Sequence, residues 1–117
     1  MSDLERKRIL VLEDEPLIAM MLEDILVELG CLVVGPASDI AGAEALVGDA
    51  AIDAAILDVN IGDRTSHPVA ELLQARRIPF LVASGYGDAE ALPGASGALN
   101  KPYRQENVML ALELILG

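Results

Sequence analysis

Residues 8–16 read RILVLEDEP, and the fold turns on how that stretch is understood. Four consecutive apolar residues, Ile9 to Leu12, run without transition into Glu13, Asp14 and Glu15, and then into Pro16. A strand with one wet face alternates apolar and polar side chains. An unbroken apolar run this short is instead a strand covered on both faces. Residues 8–13 therefore read as a buried strand, and the acids fall at its end, where the chain leaves the core.

Working outward, the pattern recurs. Cys31 to Gly35 is a second short apolar strand, and Ala54-Ala55-Ile56-Leu57 is a third that again ends on an acid, Asp58. Ile78 to Ala83 is a fourth, ending at Ser84-Gly85-Tyr86-Gly87, and Gly97 to Asn100 is a fifth, leading into Lys101-Pro102. Helical spacing fills the gaps. Residues 15–29 place Ile18, Leu22, Ile25 and Leu29 on one face, with Pro16 to start the helix and Gly30 to stop it. Asp39 caps a second helix carrying Ala43, Leu46 and Val47; a loop over 60–66 precedes a third with Val69, Leu72 and Leu73. Residues 89–92 form at most a helical turn before Pro93-Gly94, and a last helix runs from Arg104 to Leu116.

Five continuous strands alternating with helices predict a doubly wound α/β fold: a five-stranded parallel sheet with helices on both faces. At 117 residues the chain is expected to be one domain, residues 1–117, with its core at about 8–116. Its 53% hydrophobic content argues against disorder, while 3% aromatics leave the core to Leu, Ile, Val and Ala. With 19 acidic against 8 basic residues, the net charge of -11 repels phosphate backbones and anionic membranes, which argues against direct nucleic-acid or membrane partners. One cysteine, Cys31, fits a reducing compartment and a place in the core. No leader pattern opens the chain and no apolar run approaches a bilayer span, so a cytoplasmic location is expected.

Open α/β sheets bind ligands beyond the carboxyl ends of their strands. Glu13, Asp14, Asp58, Ser84 and Lys101 all fall at such ends. Three carboxylates converging there repel one another unless a cation neutralises them, and an oxygen-only donor set suits Mg2+. An aspartate beside that ion can act as nucleophile toward a phosphoryl group, with Lys101 and Ser84 supplying a fixed positive charge and a hydroxyl donor.

The order of these residues resembles the receiver domain of bacterial two-component response regulators: an acidic pair after the first strand, an aspartate after the third, Ser/Thr after the fourth, Lys-Pro after the fifth. The resemblance covers essentially the whole chain. It implies a flavodoxin-like strand order 2-1-3-4-5 and a signalling switch rather than an enzyme acting on a metabolite. By it, Asp58 is the phosphoacceptor that becomes 4-aspartylphosphate, Asp14 a direct Mg2+ ligand, Glu13 a ligand through water and Asn60 a ligand through its backbone carbonyl. Ser84 is the switch hydroxyl and Lys101 the phosphate-pairing lysine. The implied donor is a sensor histidine kinase or phosphotransfer protein. One position departs from the pattern: Ala98 stands where many receivers carry a switch aromatic. Pro79-Phe80-Leu81-Val82-Ala83-Ser84-Gly85-Tyr86 is similar to a subgroup of mostly stand-alone receivers with Phe-Ala-Thr-Gly-Tyr there, which makes Tyr86 the expected mobile aromatic.

Several residues have plainer readings. Glu15 favours the positive end of the following helix, His67 opens the helix before Pro68, and Met20 and Met21 are expected to pack. The last helix is different, because from Val108 to Leu116 only Glu113 is polar. Val108, Ala111, Leu112 and Ile115 can face the sheet, which leaves Met109, Leu110 and Leu114 partly outward as an interface for a homodimer or downstream partner, together with the fifth strand. The chain stops just after this helix, so its effects are expected to pass through protein contacts. Two other readings compete: a phosphate-independent dimerisation or binding module of the same fold, and an Mg2+-dependent phosphatase. The phosphatase would need a second acid two residues after its nucleophile, where this chain has Asn60.

Overall fold

The computed structural model describes residues 3–84 and 92–116, the side chain of Ser84 excepted. Strands β1 (Arg8–Leu12), β2 (Leu32–Ala37), β3 (Ala54–Asp58), β6 (Phe80–Ser84) and β7 (Gly97–Asn100) form one sheet. Every pairing in it is parallel, in the order β2-β1-β3-β6-β7. A two-stranded antiparallel hairpin, β4 (Asn60–Ile61) with β5 (Arg64–Thr65), lies outside the sheet, so the sheet order is 2-1-3-4-5 once the hairpin is left out of the count. Helices α1 (Pro16–Glu28), α2 (Ile40–Asp49), α3 (His67–Ala75) and α4 (Gln105–Leu116) connect and follow the strands.

Because side chains alternate along a strand, each run of apolar residues feeds two cores at once. Leu10, Leu12, Ala55, Leu57, Phe80 and Val82 pack with Ile40, Ala43 and Val47 of α2 and with Val69, Ala70 and Leu73 of α3. Ile9, Val11, Ala54, Ile56, Leu81, Ala83 and Leu99 pack with Leu22 and Leu26 of α1 and with Val108 and Leu112 of α4. Each fully buried leucine or isoleucine contributes about 2 kcal/mol of transfer free energy. Leu4 is also fully buried, in the α1/α4 cluster. The N–H of Arg6 donates to the Gly30 carbonyl at 2.7 Å, and the N–H of Leu32 to the Lys7 carbonyl at 2.8 Å, so the segment before β1 is tied under the end of α1.

Three elements differ from the sequence reading, each for a local reason. β2 reaches Ala37 because its register against β1 slips: Leu10 pairs with Val34 but Leu12 with Ala37, so Gly35 and Pro36 together oppose Val11. This is a bulge, with Gly35 at φ +98 and a cis Gly35–Pro36 peptide. β2 is an edge strand, where the N–H that proline lacks is not missed. β6 starts at Phe80 because Ile78 still donates its N–H to the Leu73 carbonyl at the end of α3. The loop over 60–66 contains the hairpin, whose two-residue strands are too short to leave a periodic signal.

On α1 the buried residues are Ala19, Leu22 and Leu26, while Ile18, Ile25 and Leu29 flank them half-buried. Leu17 (69% exposed), Met20 (55%), Met21 (47%) and Val27 (62%) face outward. Met20 and Met21 therefore do not pack as expected; the sheet takes only one stripe of the helix, and they fall outside it. Among the described residues, no helix is long and apolar enough to cross a membrane.

Candidate functional site

The sheet order reverses between β1 and β3: the chain leaves β1 toward β2 and returns on the other side to β3. Leu12 pairs with Leu57, so the next residues, Glu13 and Asp58, leave adjacent strands side by side. Neighbouring strands lie about 4.8 Å apart. Accordingly, carboxylate oxygens of Glu13, Asp14 and Asp58 all lie within 4.8 Å of one another.

Lys101 begins just past β7, two strands from β3 and three from β1, and only a long side chain can cross that distance. Its Nζ donates to Glu13 Oε1 at 2.7 Å and to Asp58 Oδ2 at 3.1 Å. Glu13 is buried (3% exposed), and its second oxygen accepts the Glu15 N–H at 3.2 Å. Burial pushes the Glu13 carboxyl above its ordinary value and the charge of Asp58 adds to this, against the pull of Lys101 and the Glu15 N–H. For Lys101, burial opposes the ammonium, but its bonds to Glu13 and Asp58 outweigh that and hold it above the usual lysine range. Tyr103, two residues on, is raised by burial first and then by the negative charges of Glu13 and Asp58.

Asp14 is exposed, and its Oδ2 accepts the Gly62 N–H at 2.8 Å. Gly62 holds φ +63 at the hairpin turn, a conformation that glycine adopts freely. The hairpin thus steadies Asp14 from across the crevice. Beneath it, the Ser66 hydroxyl, fully buried, is shared between the carbonyls of Asp58 and Val59 and anchors the end of β3. Sequence reasoning missed both contacts. The serine before His67-Pro68 signals a helix start, but Ser66 makes no side-chain cap bond to that helix.

Three ionised carboxylates against one ammonium leave two negative charges, which match a divalent cation. The donors are all hard oxygens, and Asp14 and Asp58 remain open enough to be reached, so the residues present fit Mg2+. A cleft of about 250 Å3 opens beside them, lined by Glu13, Asp14, Pro16, Ala19, Met20, Glu23, Pro36 and Ser38.

Of the other expected site residues, Asn60 lies two residues past Asp58 at the start of the hairpin, and is exposed. Ser84 ends β6, paired with Asn100, one step beyond the Asp58–Ala83 pair. Tyr86 lies outside the described residues. On α4, Val108 and Leu112 are buried and Ala111 and Ile115 half-buried, as expected. Leu110 (54%) and Leu114 (84%) are exposed, whereas Met109 packs partly buried against the core and adds less to the outer face. His67 opens α3, its Nδ1 4.0 Å from Glu71 Oε1.

A doubly wound sheet with acids at its switch point and a lysine reaching back to them is the arrangement expected of a receiver domain. The chain belongs to the response regulator receiver domain family, whose model matches residues 9–113. It is 48% identical to SdrG of Sphingomonas melonis Fr1, whose solution structure it matches with a TM-score of 0.84 over 96% of this chain and 98% of that one. The receiver domain of the sensor histidine kinase PA1611 of Pseudomonas aeruginosa PAO1, which carries a magnesium ion in its active-site cleft, shares the fold (23% identity, TM-score 0.85, 96% and 98% coverage). The transcriptional regulatory protein PdtaR of Mycobacterium tuberculosis is 32% identical over 114 residues, 92% of this chain and 56% of PdtaR. The chain thus spans about half the length of the curated relatives it matches.

Proposed function

We propose that the protein is a phosphorylation-controlled switch in which Asp58 accepts a phosphoryl group from a histidine kinase or phosphotransfer protein, and that it works in the cytoplasm. The observation that carries this reading is the Glu13–Asp14–Asp58 cluster, in which Lys101 bonds both Glu13 and Asp58. A carboxylate oxygen of Asp58 attacks phosphorus, the bond from phosphorus to the donor nitrogen breaks, and the electron pair leaves with the imidazole. The product is an acyl phosphate on Asp58. Lys101, already at Asp58 Oδ2, pairs with a phosphoryl oxygen as charge develops there. Ser84 and, two residues on, Tyr86 respond to the new charge.

When bound, Mg2+ supplies neutralisation of the phosphoryl oxygens. The residues that would hold it are Glu13, Asp14 and Asp58, with the backbone carbonyl of Asn60. Ser66 and Gly62 keep Asp58 and Asp14 in place while it binds and leaves.

The donor docks over the first turns of α1. Leu17, Met20 and Met21 are exposed there, and Met20 lines the cleft that opens on Glu13 and Asp14. Output passes through the opposite end of the chain, where Leu110 and Leu114 offer an apolar face to a downstream partner or a second copy. That face also favours the second reading, a binding module that works without phosphate.

Incubation with Mg2+ and acetyl phosphate, followed by intact-mass analysis, tests the proposal. One added phosphoryl group that requires Mg2+ and is lost in Asp58→Asn is the expected result. A folded wild type that gains nothing from acetyl phosphate and shows no response to beryllofluoride would overturn it in favour of the phosphate-independent module.

A further inference from the structure

One buried ionisable side chain near the acids has no part in the transfer scheme above. Tyr103 is 7% exposed and belongs to the buried cluster that holds α1 and α4 against the sheet, with Leu22, Leu99, Val108 and Leu112. It follows Lys101 by two residues and precedes the start of α4, Gln105, by two. Only Pro102 stands between Lys101 and the tyrosine, and its ring fixes one of the two soft backbone torsions of that residue. A continuous, stiff segment therefore leads from the ammonium that grips Glu13 and Asp58, through an aromatic ring set in the core, to the first turn of the helix bearing Leu110 and Leu114.

We propose that Tyr103 is a positioning residue that couples the seat of Lys101 to the seat of α4. Its ring fixes the backbone from which Lys101 reaches across the sheet. When the partners of Lys101 change, the segment moves with the ring, and the ring carries α4. Packed cores respond to such a push by discrete shifts rather than by smooth deformation, so a small displacement at Lys101 is felt along the helix. The charges of Glu13 and Asp58 reach the phenol, consistent with a ring that lies close behind the site. The inference rests on the switch reading for its purpose, but the coupling itself does not require Asp58 to accept phosphate.

The test is a double-mutant cycle read by amide and aromatic NMR, without metal or phosphodonor. Lys101→Met removes the grip on the acids and is expected to move the Tyr103 ring resonances and the backbone amides of residues 106–116. In a Tyr103→Leu background the displacement of the α4 amides is expected to fall at least about threefold. In Tyr103→Phe, which keeps the ring, it is expected to persist. Equal α4 displacements in the wild-type and Tyr103→Leu backgrounds would overturn the proposal, as would loss of the response in Tyr103→Phe. If the leucine variant does not fold, the wild-type ring decides: resonances of Tyr103 unmoved by Lys101→Met refute the coupling. Because no phosphoryl group is involved, failure here and failure of Asp58 to accept phosphate are separate results.

Discussion

Glu13 is pulled two ways: its carboxylate is buried beside Asp58, yet Lys101 and the Glu15 N–H hold it there. Its pKa in the folded chain lies above the ordinary 4.5, so the native carboxyl binds its proton more tightly than the unfolded one. Stability from this group therefore grows as pH falls through the native value and is complete below 4.5. At neutral pH the ionised group is a cost. Without divalent ion at pH 7, Glu13→Gln is expected to melt above wild type by circular dichroism and to bind Mg2+ more weakly; a lower melting temperature would contradict this electrostatic reading. Lys101 has the opposite trend, because its pKa is raised above 10.5 in the folded chain. Its contribution is intact below 10.5 and is lost as pH rises through the native value. Lys101→Met is expected to lower stability by about 2 kcal/mol in urea unfolding at neutral pH, with Mg2+ recovering part of the loss. No loss would mean the acids are not held by the lysine. The acids and the lysine were legible in sequence because they fall, in order, at the carboxyl ends of separate buried strands, a coincidence that a helix-end role for any one of them does not explain. Ser66 and Gly62 were not, since a serine before a helix and a glycine in a turn have ordinary reasons of their own.

At the scale of elements, the strands could be read because parallel strands buried on both faces leave unbroken apolar runs, and β3 and β7 begin and end as expected. The bulge in β2 could not, because it depends on the register with β1 rather than on composition. Asp39 behaves as its position predicts: Oδ1 accepts the Gly42 N–H at 2.7 Å. Asp39→Ala is expected to cost about 1 kcal/mol of stability, measurable by urea unfolding, without changing the acid site. Leu4 lies before the residues matched by the family model, yet it is fully buried. Leu4→Ala is expected to cost about 3 kcal/mol; a change within a few tenths would mean the segment before β1 contributes nothing to the α1/α4 core. The two outward helix faces were legible to different degrees. The excess of apolar residues on α4 exceeded what one stripe needs, whereas α1 showed a clean helical period that hid Leu17, Met20 and Met21 on its other side.

For the whole molecule, a net charge of -11 and a core built mainly from aliphatic side chains describe an acidic chain of the receiver family. Leu110→Glu is expected to leave stability unchanged while abolishing any self-association or partner binding seen by analytical ultracentrifugation; association that survives it would move the output surface off α4. The central claim is that the acid site exists to make one acyl phosphate. It is tested most directly by locating the bond: after reaction with acetyl phosphate and Mg2+, borohydride reduction converts an aspartyl phosphate to homoserine, which peptide mass spectrometry places in the sequence. The account predicts homoserine at position 58 alone, only when Mg2+ is present. Conversion at another carboxylate, or the same yield without Mg2+, would contradict it.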